Sequence, residues 1–228
     1  MADEHEIQSE TARRVLESAV DVFAEKGFRD ATVHEICERA DANIAAVNYY
    51  FGSKARLYAE AWRHAFRNSL QAHPPDGGVP EDAPPEERLR GRVRAMIHLV
   101  ADEDNQAFRM AHREMANPTQ LLDEVRRECV RPLQKGMRAV LRELLGPDVP
   151  QKHVHFCQAG VAAQCFGVIR HIRLQDGSPG GHPPPLEEII RDPDAYAEHV
   201  FRFSLAGVRA VRESLESPGA HETAEGPA

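Results

Sequence analysis

Cysteine is scarce in this chain of 228 residues, and the four present, Cys37, Cys129, Cys157 and Cys165, form no CxxC pair. That spacing excludes a zinc ribbon and a thioredoxin-type redox motif. Each cysteine sits among apolar neighbours at helical spacing, which makes it a small buried hydrophobe. A long apolar run is also missing. The longest, Phe156 to Ile169, is too short to cross a bilayer and is interrupted by Gln158 and Gln164. The first residues, Met-Ala-Asp-Glu-His-Glu, lack the basic start and apolar stretch of a secretory signal. The expected location is therefore the cytoplasm, with no membrane partner. There is no HExxH, GxSxG, P-loop or dinucleotide fingerprint. His153 and His155 are two residues apart, so on a helix they diverge and chelate poorly, even with Cys157, Cys165 and His171 near in sequence. No catalytic residue, metal ligand or cofactor is expected.

Period-two alternation is absent too, which removes the β classes. Apolar residues recur instead at spacings of three and four, so the chain reads as all-α. Two segments break the pattern with Pro and Gly: His73 to Pro85 and Asp176 to Pro185. The stretch after about Ser217 has the composition of a disordered tail. Three divisions follow: residues 1–52, 53–216 and a tail at 217–228.

Within the first division, Ala12, Val15, Leu16, Ala19, Val20, Val22 and Phe23 form one stripe that Gly27 ends. Thr32 and Glu35 have capping-box spacing, followed by Val33, Ile36, Cys37 and Ala40 on one side. Asp41 and Ala42 make a tight turn, and Asn43 is a suitable N-cap for the next short helix. On that helix Ile44, Val47 and Phe51 are expected to face inward, and Ala45, Asn48 and Tyr49 outward. Gly52 stops it, and Ser53 caps a fourth helix that buries Leu57, Tyr58, Ala61, Trp62, Ala65 and Phe66.

Two short helices joined by a tight turn behind a longer one describe a helix-turn-helix. Net charge is −8, which alone argues against a nucleic-acid partner. The distribution argues the other way: Ala42 to Ala59 contains no Asp or Glu but does contain Lys54 and Arg56. Ala45 and Ala46 permit close approach, and Asn48 has the paired donor and acceptor that match adenine in the major groove. Tyr49 and Tyr50 offer rings and hydroxyls. Thr32 and Lys54, each near the start of a helix, are placed to meet phosphates.

Residues Ala31 to Tyr58, ATVHEICERADANIAAVNYYFGSKARLY, resemble the signature of the TetR family of bacterial repressors, and NIAAVNYYFGSK is close to the form of its CecR-like subgroup. Arg113-Glu114-Met115, Asn117-Pro118-Thr119 and Arg131-Pro132-Leu133 are similar to that subgroup's C-terminal domain. The resemblance implies an N-terminal three-helix DNA-binding domain and a C-terminal helical domain for ligand binding and dimerisation, about nine helices in all. It implies that Thr32, Asn43, Ala45, Ala46, Asn48, Tyr49, Tyr50 and Lys54 lie at operator DNA. This chain departs from many members in having Ile44 where they carry Lys, Asn48 where they carry Tyr, and Tyr50 where they carry His.

The expected partners are double-stranded operator DNA, a small-molecule inducer and a second copy of the chain. Candidates to line the inducer site are His98, Phe108, His112, Met115, Gln158, Phe166 and Arg170. Candidates for the dimer interface are Gly160, Ala163, Gly167, Val200, Phe203, Val208 and Val211, where small residues let helices approach closely. The inducer is expected to shift a two-state equilibrium by moving the helix from Ser53 to Ala72. A helical protein–protein adaptor is the alternative, and a small metal-binding enzyme a more remote one.

Overall fold

The computed structural model describes residues 10–174 and 192–216, with backbone alone for residues 168–174. The Asp176 to Pro185 segment, the 217–228 tail and the side chain of Arg170 lie outside the described residues. Among the described residues there are nine helices and no strand: α1 (Glu10–Asp30), α2 (Val33–Arg39), α3 (Ile44–Tyr50), α4 (Lys54–Ala72), α5 (Pro85–Ala101), α6 (Gln106–Ala116), α7 (Asp123–Leu145), α8 (Gln151–Leu174) and α9 (Pro193–Glu216). No described helix is long and apolar enough to cross a membrane.

Packing divides the chain into two compact units. One holds residues 1–72 and 103–132, the other 73–102 and 133–228. Helix α7 contributes to both, and Pro132, inside it, is the last residue of the first unit.

In the first unit α1 is the spine. The stripe read from the sequence is buried, from Ala12 to Phe23, and α4 and α6 pack on it with α2 and α3 at one end. Regular helix geometry fails at Gly27 (φ 76°, ψ −179°), so the chain can turn toward Thr32. Phe23 meets Tyr58 edge-on with ring centroids 4.8 Å apart, and Phe28 lies 5.2 Å from the same tyrosine. Fully burying side chains of this size contributes roughly 1.5–3 kcal/mol each.

Helix α6 is tied in by polar contacts that need these partners. Trp62 Nε1 donates to the Ala107 carbonyl at 3.1 Å. Arg113 Nε donates to the Ala24 carbonyl at 3.1 Å. The carboxylate of Glu114, only 6% exposed, accepts from Tyr58 Oη (3.1 Å), Thr119 N (2.6 Å), Thr119 Oγ1 (2.7 Å) and Gln120 N (2.9 Å). A buried carboxylate without donors would be strongly destabilising, and here the set is supplied by α4 and the turn after α6.

In the second unit α5 packs on α8 and α9, and α8 packs on α9. Leu89, Val93 and Ile97 of α5 are buried, as are Val161 and Cys165 of α8 and Val200, Phe201, Leu205 and Val208 of α9. Tyr196 Oη donates to the Gln164 carbonyl at 2.8 Å, and Gln164 Nε2 lies 3.4 Å from Ser204 Oγ, cross-linking α8 and α9.

The cysteines behave as packing residues. Cys37 and Cys165 are buried, Cys129 and Cys157 half-buried, and burial raises every thiol, Cys165 to about 12. Among the described residues no group of His, Cys, Asp and Glu is arranged to hold a metal ion.

Candidate nucleic-acid interface

The geometry of α2 and α3 is set by their caps. Thr32 Oγ1 accepts from Glu35 N at 3.1 Å, which starts α2. The Glu35 carboxylate is taken by Lys26 at 2.8 Å and Arg39 at 3.0 Å, and Arg39 also holds Glu25 at 2.8 Å. These pairs lower both carboxylate pKa values and fasten α2 to α1, but they are solvent-exposed and contribute little each. The turn between α2 and α3 passes through Asp41 at φ 48°, a left-handed conformation that Asp tolerates better than most residues. Asn43 Oδ1 then accepts from Ala45 N at 2.8 Å and starts α3.

Helix α3 ends at a glycine, as its sequence predicts. Gly52 (φ 76°) donates its N–H to the carbonyls of Val47 (3.0 Å) and Asn48 (3.1 Å), satisfying the last turn. Ser53 Oγ accepts from Arg56 N at 3.2 Å and begins α4 one residue later. Both ends of α3 are thus fixed within a dozen residues.

What α3 presents follows from one buried contact per turn. Val47 (1% exposed) and Phe51 (4%) anchor it to the core. Ala45, Asn48 and Tyr49 are exposed, Tyr49 to 81%. Ala46 is half-buried. Tyr50 is half-buried as well and packs on the core, with its ring edge-on to Tyr49 at 4.8 Å. Only one of the two tyrosines is therefore free on the outer face. Thr32, Asn43 and Arg56 are exposed.

One expectation needs correction here. Ile44 does not face inward: it is 48% exposed. It is the first residue of a seven-residue helix, and Val47 and Phe51 take the inward positions. Lys54, expected to meet a phosphate, packs against an aromatic ring. Its Nζ sits 4.5 Å from the centre of the Phe28 ring, and partial burial lowers its pKa while the nearby Asp30 opposes that shift. An ammonium held on an aromatic face keeps its charge but has lost much of its range of motion.

The surface so built combines small residues, an amide, an exposed phenol and cations, with no carboxylate between Ala42 and Ala59. Residues 15–61 match the family described as bacterial regulatory proteins, tetR family, and residues 85–208 match the C-terminal domain of the HTH-type transcriptional dual regulator CecR. The chain belongs to the TetR family. It is 30% identical over 157 residues to the HTH-type transcriptional dual regulator CecR of Shigella flexneri, a match covering 62% of this chain and 68% of that protein. Over 62 residues it is 34% identical to the HTH-type transcriptional repressor NicS of Pseudomonas putida, covering 27% of this chain and 29% of that one. The fold is similar to that of the fatty acid degradation regulator FadR from Bacillus halodurans: TM-score 0.64, 15% identity, 89% of this chain and 98% of that chain. It is similar also to FadR from Bacillus subtilis, solved with stearoyl-CoA: TM-score 0.63, 16% identity, 86% and 98% covered. A TetR-family helix-turn-helix is a DNA-binding element, and α2 and α3 are that element in this chain.

The residues expected to meet an inducer fall into both units of this TetR-family chain. Phe108, His112 and Met115 lie on α6 in the first unit, the first two half-buried and Met115 47% exposed. His98, Gln158 and Phe166 lie in the second. His98 Nε2 is 2.9 Å from Asp194 Oδ1, and its ring stacks on His73. Gln158 accepts from Arg138 Nη1 and donates to the Gln134 carbonyl, each at 3.2 Å. Both side chains are already engaged by protein.

The expected dimer residues divide differently. Val200 and Val208 are 1% and 2% exposed within the chain's own second unit, so they are core residues rather than a free face. The α9 helix is apolar on more than one side, and these two point toward its neighbours α5 and α8. Gly160, Ala163, Gly167 and Phe203 are exposed, and Val211 is half-buried. A Cβ built on Gly160, Gly167 or Gly207 would meet nothing within 4 Å. Phe156 (67% exposed) and Phe203 (63%) belong to the same free surfaces of α8 and α9, and sequence reading passed over Phe156 as part of an evenly apolar run.

Proposed function

We propose that this chain is a transcriptional repressor that binds a palindromic operator as a homodimer and is released by a small-molecule inducer. The observation that carries the reading is the outer face of α3: exposed Ala45, Asn48 and Tyr49, free of acid, inside the segment that matches the TetR family. In this reading residues 1–52 read DNA and residues 53–216 dimerise and sense the inducer. Asn48 pairs with adenine, Tyr49 covers a neighbouring base or sugar, and Thr32, Asn43, Tyr50 and Lys54 fix the position against phosphates. Ala45 and Ala46 allow the helix to seat deeply.

The free apolar faces of α8 and α9 support the second copy. Gly160, Ala163, Gly167, Phe203 and Val211 would meet their equivalents in a four-helix contact, which sets two α3 helices about 34–36 Å apart or a multiple of that. Phe108, His112 and Met115 in the first unit, and His98, Gln158 and Phe166 in the second, are each proposed as inducer contacts within their own unit. The inducer acts only to the extent that it prefers the state with the wrong half-site spacing. The protein works in the cytoplasm, where its DNA is.

The test is binding to the intergenic DNA upstream of its own gene, titrated with salt and footprinted. A palindromic footprint whose affinity falls steeply with salt is the expected result. Failure to bind that DNA, or any member of a random duplex pool at low salt, would replace the repressor with a protein–protein adaptor.

A further inference from the structure

The outward turn of Ile44 has a counterpart in DNA chemistry. At roughly 100° per residue, positions 44, 48, 45 and 49 succeed one another across about 140° of the α3 surface. Ile44 and Asn48 are thus neighbours, one turn apart, with Cβ atoms about 5–6 Å from each other. Asn48, Ala45 and Tyr49 are all exposed, and Ile44 shares their face at 48% exposure. A single exposed aliphatic residue needs no explanation on an ordinary surface. This one lies on the face that the DNA-binding element presents, in a stretch that carries no acid.

We infer that Ile44 is a specificity-determining residue that reads the 5-methyl group of a thymine in the major groove. The inference rests on the DNA-binding reading of α3 and adds a base to it. The thymine methyl is the one apolar feature of the major-groove edge, and it is recognised by apolar contact. A β-branched side chain with no polar atom can make that contact and cannot hydrogen-bond to a guanine or to a phosphate. Successive bases on a strand are about 3.4 Å apart, so a contact one helical turn from Asn48 falls one or two base pairs away. Each half-site therefore contains a thymine within two base pairs of the adenine that Asn48 reads. A lysine at position 44 would contact phosphate or guanine and would not specify this base.

Replacing thymine by deoxyuridine removes the methyl group and leaves every hydrogen bond in place, which isolates this contact. The full-length protein is used to select its best duplex from a random pool. Each thymine of that duplex is then replaced by deoxyuridine, and binding is measured by fluorescence anisotropy. At one position per half-site, wild-type protein is expected to bind the uracil duplex about fourfold more weakly, the value of one buried methyl-sized group. Ile44→Ala is expected to bind the thymine and uracil forms equally there. It should still discriminate against replacement of the nearby adenine. Because Ile44 is exposed, circular dichroism of the variant should match wild type. The inference is overturned if every single uracil duplex binds within experimental error of its thymine parent. It is equally overturned if Ile44→Ala preserves the wild-type ratio. Absence of any selected duplex would strike the DNA-binding reading instead, before Ile44 is probed.

Discussion

Two surfaces stand exposed among the described residues of this protein, and they differ in what they lack. The face of α3 lacks acid but keeps polar groups: Asn48, Tyr49 and, close by in sequence, Lys54 and Arg56. The faces of α8 and α9 lack charge of either sign between Phe156 and Gly167 and between Phe203 and Val208, and are built from glycine, alanine and phenylalanine. Water solvates both. A polyanion is attracted to the first and gains nothing from the second. A second apolar helix pair gains from the second, where open glycines permit close packing, and would strip water from polar groups on the first. Exposure alone does not identify a partner; the kind of residue missing from the exposed face does.

Charge placed on the apolar face should have the largest effect. Phe203→Glu is expected to leave the fold unchanged, to give a monomer by light scattering, and to weaken operator binding by at least about 100-fold, since two linked half-sites gain of that order from linkage. A dimeric variant with full affinity would show that α9 is not part of the interface. Asn48→Ala comes next: specific affinity should fall about 10- to 100-fold, with binding to unrelated DNA unchanged and the dimer intact. Equal losses on both DNAs would assign Asn48 to the backbone. Arg56→Ala is milder. It should lower the slope of log affinity against log salt by roughly two per dimer, one phosphate contact in each subunit. The dimerisation constant, resting on an uncharged face, should scarcely respond to salt.

The smallest effect concerns the core of the first unit rather than the face of α3. Burial and the adjacent Glu114 carboxylate raise the pKa of Tyr58 well above the ordinary value near 10. The folded state therefore holds the phenol proton more tightly than the unfolded chain. The stability it contributes is complete below about pH 10 and is lost as pH rises from there through the higher folded value. Thermal melts should show a modest loss above pH 10 that is reduced in Tyr58→Phe; an unchanged alkaline slope in that variant would exclude Tyr58 as its source.

Much of the DNA-binding unit was legible because its signals are local. Thr32, Asn43 and Gly52 mark helix ends by chemistry that needs only a few neighbours in sequence, Gly27 marks the break inside α1, and the α1 stripe needs only its period. Ile44 was misread for the opposite reason. Periodicity says that a residue is apolar at a given angle, while burial depends on whether another element lies there. Val200 and Val208 fail in the same way: α9 is apolar toward its own core and toward solvent, and sequence does not rank the two sides. The confinement of Lys54 on Phe28 joins residues 26 positions apart, and the inducer candidates spread over both units, so neither could be read from spacing. The helix-turn-helix was read from its two short helices and tight turn, and the family resemblance, which implied the residues at DNA, was silent on where Ile44 points.

The polar ties of α6 also bear on how the protein is made. Trp62, Tyr58 and the end of α1 find their hydrogen-bond partners at Ala107, Glu114 and Arg113, and the last donor to Glu114 is Gln120. A nascent chain that has just completed α4 holds every residue of the helix-turn-helix but not the groups that finish its core. At roughly 5–20 residues per second, the missing stretch takes some seconds more to synthesise. The DNA-reading surface therefore gains its full support only after about half the chain has been translated, and a gene fragment ending at α4 would encode the contacts for DNA without the frame that holds them.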